Sequence, residues 1–308
     1  QAMVLNSAYS SLLELSYDNY ESNLKTIYTY KVKKNVSNDA SSSNKNVFNI
    51  YISGIDTYGS ISTVSRSDVN LILTVNMDTH KILITETPRD SYVQIPDGGA
   101  NQYDKLTHAG IYGVETSEKT LENLYGIEVD YYARLNFDSF MKLIDSLGGV
   151  TVYNNQAFTI NLDTGNVYSF EVGNVNITSG EQALAFVRER YDLERGDYDR
   201  GSNQMKVIQA IINKLTSFSS ISNYSSIMST LQDSVQTDMP LDTMMDLANT
   251  QLDSGKKFTI TSQEVTGTGS TGTLVSYAMP TANLYMIQLD DTSVASASQA
   301  IKDVMEGK

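Results

Sequence analysis

Cysteine is absent from all 308 residues, which excludes disulfides, thiol nucleophiles and cysteine-held zinc. Also missing is any run of about 18 apolar residues, so no segment reads as a membrane-spanning helix. Basic residues are few: 22 Lys and Arg stand against 36 Asp and Glu, giving a formal charge of −14 and a pI near 4.5. Polyanion binding rests on Lys and Arg neutralising phosphates, so this balance argues against general nucleic-acid binding and against broad adsorption to anionic lipid. The chain opens Gln1-Ala2-Met3 with no signal-peptide pattern, and is expected to continue upstream of that start.

Arginine itself is scarce but gathered. There are seven, and six of them stand in three short polar clusters: Arg66, Arg89, and Arg188, Arg190, Arg195 and Arg200 together. Guanidinium is suited to a bidentate grip on phosphate oxygens. An acidic chain that concentrates it this way is expected to build one local anion site for a phosphorylated small ligand.

Hydrophobic content of 40% is that of an ordinary globular protein, and the length suffices for a full core. Residues 4–33 carry helical periodicity, and the polar stretch 35–46 that follows reads as a linker. The main body opens with the strand 47–52. Two further strands, 69–76 and 81–87, are separated by the turn Met77-Asp78-Thr79-His80. Helices are expected over 116–125 and 137–147, the second closed by Gly148-Gly149, with a strand at 150–153. Ser179-Gly180-Glu181-Gln182 has the form of a capping box and opens a helix through 187. Further helices are expected near 200–215, 220–232, 241–251 and 294–305, with strands near 257–263 and 273–279. The alternation implies an α/β fold, a layered α/β/α arrangement with a central mixed β-sheet flanked by helices. Gly267 to Gly272 lacks the Lys of a phosphate-binding loop and reads as a flexible hairpin turn, which disfavours a nucleotide phosphotransferase.

Three constellations carry chemistry. Asp56 ends the first strand region and Asp68 opens the next, so both could face one pocket at the strand ends. Two carboxylates with phosphate and water complete a Mg²⁺ shell; the plainer reading is two loop-capping aspartates. In Thr87-Pro88-Arg89-Asp90, Pro88 ends pairing and stiffens the position from which Arg89 projects; the plainer reading is a surface Arg–Asp pair. In the third, Arg188 and Arg190 share a face if 187–190 is extended, and Arg200 and Gln204 share a face one helical turn apart. Acidic residues 189, 192, 194, 197 and 199 interleave with them, so part of that run must neutralise itself.

These motifs, in order, resemble those of the LytR-CpsA-Psr family of bacterial cell-envelope proteins, with capsule-type members of Gram-positive bacteria such as streptococci most similar. The likeness runs through Tyr51-Ile52-Ser53-Gly54-Ile55-Asp56, Arg66-Ser67-Asp68, Thr87-Pro88-Arg89-Asp90 and Asp104-Lys105-Leu106. It continues in Asp145 to Val150, Ala183 to Arg190, and Asp199-Arg200 with Gln204. It implies a catalytic domain over 46–308, preceded at 1–45 by the remnant of an accessory region and a linker. It also implies a membrane-anchored phosphotransferase, its anchor upstream of Gln1, with the catalytic domain on the extracellular face. The expected reaction moves capsular polysaccharide or a related anionic glycopolymer from a polyprenyl-pyrophosphate carrier onto peptidoglycan, assisted by Mg²⁺. By the same resemblance Asp56 and Asp68 hold the metal, and Arg66, Arg89, Lys105, Arg188, Arg190, Arg200 and Gln204 contact the pyrophosphate. One departure stands out: the basic run that many members carry at this point is Gly201-Ser202-Asn203-Gln204 in this chain, which leaves one cation fewer or puts Arg195 in its place.

Arg66, Arg89 and Asp90 are the expected catalytic residues, with Asp90 or, less strongly, His108 as base. The carrier lipid calls for an apolar tunnel. Phe137, Phe140, Met141 and Ile144, with Ile208, Ile211 and Ile212, could line it, although helical stripes of this kind equally suit an ordinary core. Two other classes remain: a module that binds polyprenyl phosphates without turnover, and a transcriptional regulator, which the acidic pI argues against.

Overall fold

A computed structural model of the chain describes residues 46–58, 65–189, 191–219, 221–231 and 235–308. The expected helix over 4–33, nearly all of the linker and the boundary at 45 lie outside these residues.

Strands β1 (Val47–Gly54), β2 (Val69–Asn76) and β3 (Lys81–Glu86) form an antiparallel meander. β2 is buried from Asn70 to Asn76 because both of its faces are covered. Leu71, Leu73 and Val75 enter one core and Ile72 another, the period-two alternation of a strand between two layers. The turn at 77–80 is where the sequence puts it. Asn76 Oδ1 caps it by accepting the amides of Asp78 and Thr79 at 3.0 and 3.1 Å, and His80 takes up a left-handed φ of 54°.

Next come the hairpin β4 (Tyr92–Ile95) and β5 (Gln102–Lys105), the short helix α1 (Leu106–Ala109) and α2 (Val114–Tyr125). β6 (Tyr131–Leu135) leads into α3 (Phe137–Ser146), whose start is set by Asn136. Its side chain accepts the Ser139 amide at 3.0 Å while Ser139 Oγ accepts the Asn136 amide at 2.8 Å, a reciprocal cap. Four short strands follow, β7 (Val150–Asn154), β8 (Phe158–Asn161), β9 (Val167–Phe170) and β10 (Gly173–Ile177). Then come α4 (Gly180–Arg188), α5 (Asp197–Leu215), α6 (Ile221–Leu231), β11 (Gln236–Thr237) and α7 (Leu241–Ser254). β12 (Thr259–Glu264), β13 (Gly267–Thr271), β14 (Tyr285–Leu289) and α8 (Asp291–Met305) close the chain.

The main sheet is mixed, in the order β11-β6-β1-β2-β3-β12. Helices α2 and α8 cover one face, where Leu121, Tyr125 and Ile301 pack with Tyr51, Ile72 and Leu83. α5 covers the other, placing Met205 and Ile212 against Leu71 and Ile84. The opposite side of α5 belongs to a second core, in which Val207 and Ile211 meet α3, α4 and the short strands β7 to β10. The layered α/β/α reading is the architecture observed.

Two local expectations need correction. Residues 273–279 form no strand. The glycine run is not a flexible turn: Gly267–Thr271 is β13, paired antiparallel with β14. Glycine is required there by close approach, since a Cβ on Gly269 would lie 2.0 Å from Tyr285 Oη and one on Gly267 2.2 Å from the Gln288 carbonyl.

Candidate active site

Strand direction brings the polar motifs together. Because β2 runs against β1, Val69 lies beside Gly54, so Asp68 sits next to the end of β1 and its amide donates to the Gly54 carbonyl at 2.8 Å. β3 runs back again, so its end at Glu86 and the Pro88-Arg89-Asp90 loop arrive at the same edge of the sheet. β12 is parallel to β3 and ends there too, with Glu264 opposite Glu86.

A cavity of about 250 Å³ opens at that edge, lined by Asp68, Glu86, Arg89 and Asp90 from the strand ends, Glu264 from β12, Arg195 from the loop before α5, and Arg200 and Gln204 from its start. Arg89 donates to Asp68 Oδ1 at 2.6 Å, and the Asp56 amide donates to Asp68 Oδ2 at 3.1 Å. Asp90 is held by Lys105 Nζ at 2.8 Å. Arg89 also holds its loop onto α1 through its carbonyl, which accepts the Thr107 amide at 2.9 Å. Arg195 grips Asp199 through Nε and a terminal nitrogen at 2.9 and 2.7 Å. Burial tends to raise the Asp199 carboxyl, but hydrogen bonds from Gln156 and Arg195 hold it below its ordinary value.

The expected residues divide into groups. Asp68, Arg89, Asp90, Arg200 and Gln204 line one cavity, and Lys105 joins them through Asp90. Arg200 and Gln204 lie one turn apart on α5, as their spacing predicts. Asp56 is exposed beside Asp68, and Arg66 is exposed on the loop entering β2. Arg188 stands elsewhere: it ends α4, pairs with Asp163 at 3.2 Å and lies 4.9 Å over the Phe137 ring. An extended 187–190 is therefore corrected to a helix through Arg188, and Arg190 lies outside the described residues. Arg195 lines the cavity with Arg200 and Gln204 while paired with Asp199.

The apolar set is mostly structural. Ile144, Ile211 and Ile212 are buried in the two cores beside α5, and Phe140 and Ile208 pack against them. Phe137 and Met141 are half-buried, and Phe137 stacks on Tyr58 with ring centroids 4.9 Å apart. His108 is buried, its Nδ1 2.9 Å from Asp104, and the same carboxylate accepts Ser276 Oγ at 2.7 Å. That network clamps the 275–279 segment to α1 and leaves His108 away from the cavity wall.

Sequence reasoning passed over Glu86 and Glu264. Burial and the neighbouring Glu264 push Glu86 up to about 8, with Arg200 pulling the other way, and burial likewise raises Glu264 against Arg195. The available signal was an acid three residues before Arg89, at the end of a strand that otherwise reads as core.

A family model described as the LytR_cpsA_psr family matches residues 12–293. The chain is 37% identical over 234 residues to a protein of Oceanobacillus iheyensis named polyisoprenyl-teichoic acid–peptidoglycan teichoic acid transferase TagU, spanning 74% of this chain and 69% of that one. A protein of the same name from Halalkalibacterium halodurans is 32% identical over 275 residues, spanning 89% and 84%. The crystal structure of B. subtilis TagU superposes with a TM-score of 0.62 at 30% identity, over 85% of this chain and 98% of that one. A structure described as TagT bound to LI-WTA gives 0.64 at 26% identity, over 85% and 92%.

Proposed function

Because the chain belongs to the LytR-CpsA-Psr family, we propose that it is a transferase that moves an anionic glycopolymer from a polyprenyl-pyrophosphate carrier onto peptidoglycan. The observation that carries this reading is the single cavity in which Arg89, Arg195, Arg200 and Gln204 converge from two separate elements. Three guanidinium groups around about 250 Å³ suit a pyrophosphate in a way that one surface ion pair does not. The glycopolymer is a capsular polysaccharide by the likeness of the motifs, or a teichoic acid by the names of the curated relatives.

The chemistry is attack of an acceptor hydroxyl on the sugar-bearing phosphorus. A new P–O bond forms, the bridging P–O bond breaks, polyprenyl phosphate leaves, and the hydroxyl proton passes to Asp90, the carboxylate in the cavity wall expected to act as base. Catalysis of this class is largely positioning and charge neutralisation. Arg89, fixed by Asp68 and by the stiff Pro88, and Arg200, fixed on the helix, hold the two phosphates in register. Asp90 orients Lys105 toward the same wall. Mg²⁺ fits the donor set at Asp56 and Asp68: the Asp56 amide ties the two residues together, and such ions take one or two carboxylates with phosphate and water completing the shell. Among the described residues there is no cluster of three or more His, Cys, Asp or Glu that could hold a metal ion, so phosphate and water would have to complete the shell. When bound, the ion supplies positive charge beside the phosphates.

The half-buried face with Phe137 and Met141, under Arg188, is our candidate track for the first isoprene units. Peptidoglycan as acceptor puts this domain on the outer face of the cell, held by an N-terminal anchor. Among the described residues no helix is long and apolar enough to cross a membrane.

The test is release of polyprenyl phosphate from a polyprenyl-pyrophosphate glycan, with and without Mg²⁺, for the wild type and Arg89→Ala. Mg²⁺-dependent release that the variant loses supports the transferase. Tight binding of the carrier without turnover, indifferent to the metal, would leave a carrier-binding module instead.

A further inference from the structure

We propose that Glu86 and Glu264 form a proton-sharing carboxyl pair in the wall of the anion cavity, and that this pair takes up a proton when a pyrophosphate diester binds there. The inference rests on the anion-site reading above and adds a second, proton-dependent element to it.

The geometry begins with strand register. β3 and β12 are parallel neighbours, Glu86 lies opposite Glu264, and residues in register on adjacent strands project from the same face. Both line the cavity. The third wall is α5 at Gly201, where a Cβ would stand 3.0 Å from Glu86 Oε1, so the absent side chain makes room for the carboxyl group. Glu86 thus stands against the backbone of α5 on one side, with Glu264 in register on the neighbouring strand.

Charged groups reach this pair from every side of the cavity. Arg200 comes from α5, Arg195 from the loop before it, Arg89 and Asp90 from the loop after β3, and Asp68 from the start of β2. Several are matched already: Arg89 with Asp68, Lys105 with Asp90, and Arg195 with Asp199. Arg200 acts on Glu86, and Arg195, shared with Asp199, acts on Glu264. Two carboxyl groups in register in the wall of one cavity do not both ionise readily, and share a proton as a coupled unit. The upward displacement of Glu86, caused first by burial and then by Glu264, agrees with this arrangement.

A pyrophosphate diester brings two further negative charges into the same space. It disfavours the ionised pair, so a proton from solvent transfers to a glutamate oxygen as the diester binds. The resulting O–H can donate to a phosphate oxygen, turning a repulsive wall into a hydrogen-bond donor.

The experiment uses geranyl-pyrophosphate-linked N-acetylglucosamine, whose two phosphates keep one charge each from pH 7 to 9.5. Titration calorimetry in Mg²⁺-free buffers of differing ionisation enthalpy counts the protons taken up. In the wild type, a fractional proton is taken up at pH 8.5, and affinity falls as pH rises, by at most about tenfold per unit. Glu86→Gln is neutral throughout and keeps a donor, so it binds with a flat pH profile near the low-pH wild-type affinity and without uptake. Glu264→Gln likewise reduces the uptake. Wild-type binding with no uptake and a flat profile would overturn the inference alone, as would Glu86→Gln retaining the wild-type slope. No binding at any pH would sink the anion-site reading itself, and the carboxyl pair with it.

Discussion

Arg89 offers the sharpest test of the site. Its guanidinium meets Asp68 at 2.6 Å with its side chain 29% exposed, and it stands where Pro88 has ended strand pairing. Truncation to alanine removes one cationic donor from the cavity. By analogy with other preorganised donors, that loss is worth about 3 to 4 kcal/mol of transition-state stabilisation, or roughly 10²- to 10³-fold in rate. The fold should suffer far less. The ion pair is partly solvated, and Asp68 retains the Asp56 amide, so the stability cost is about 1 kcal/mol. The assay is release of polyprenyl phosphate from a soluble short-chain substrate, with thermal unfolding followed in parallel. Arg89→Lys should fall between the two, because it keeps the charge but loses the fork. Less than a tenfold loss in Arg89→Ala, with unfolding unchanged, would refute the reasoning and move the phosphate contact elsewhere.

Asp104 should matter to stability. It accepts bonds from Ser276, His108, Ala278 and Lys105, and Asp104→Ala should cost about 3 kcal/mol or more in urea unfolding. Burial raises its carboxyl, but those hydrogen bonds outweigh it and hold the group below the ordinary 3.8. Its contribution is therefore present above that value and lost as pH falls through the lower one, a loss that Asp104→Asn should not show. Glu86 acts with the opposite sign: its carboxyl moves from 4.5 to about 8, so folding favours the neutral form and stability declines as pH rises across that window. Glu86→Gln should flatten the decline in thermal unfolding. Gly269→Ala should destabilise by roughly 1 to 3 kcal/mol, since the new methyl collides with Tyr285 in the β13–β14 pair; unchanged denaturant unfolding would show that the pair adjusts freely. Chelation of Mg²⁺ should depress turnover in the wild type and leave little further effect in Asp68→Asn, as read by the same release assay.

Much of this architecture was legible because the signals are local. The turn at 77–80, the helix over 137–147 and the apolar stripe of α5 all depend on neighbours within a few residues. The Ser179–Gln182 cap is half right: Ser179 Oγ accepts the Gln182 amide at 3.2 Å, but the Gln182 carbonyl oxygen turns instead to the Thr178 amide at 2.9 Å. The misses are those where a distant partner decides. Gly267 to Thr271 is a strand only because Tyr285 and Gln288 lie over it, nearly twenty positions away in the chain. Arg188 joins Asp163 and Phe137 rather than the cavity because α4 continues one residue past the expected end. Glu86 and Glu264 meet only through the pairing of β3 with β12, which no motif announces.

Helix α5 has a mechanical consequence. One flank is embedded in the core of the main sheet through Met205 and Ile212, the other in the second core through Val207 and Ile211, and at its far end Lys214 Nζ donates to the Gly149 carbonyl at 2.7 Å. It works as a rivet through two bodies, with Arg200 and Gln204 at its head. An anion clasped between that head and Arg89 would fasten the two bodies from the cavity side as well. They should then unfold in a single transition that ligand moves as a whole, rather than melting one after the other.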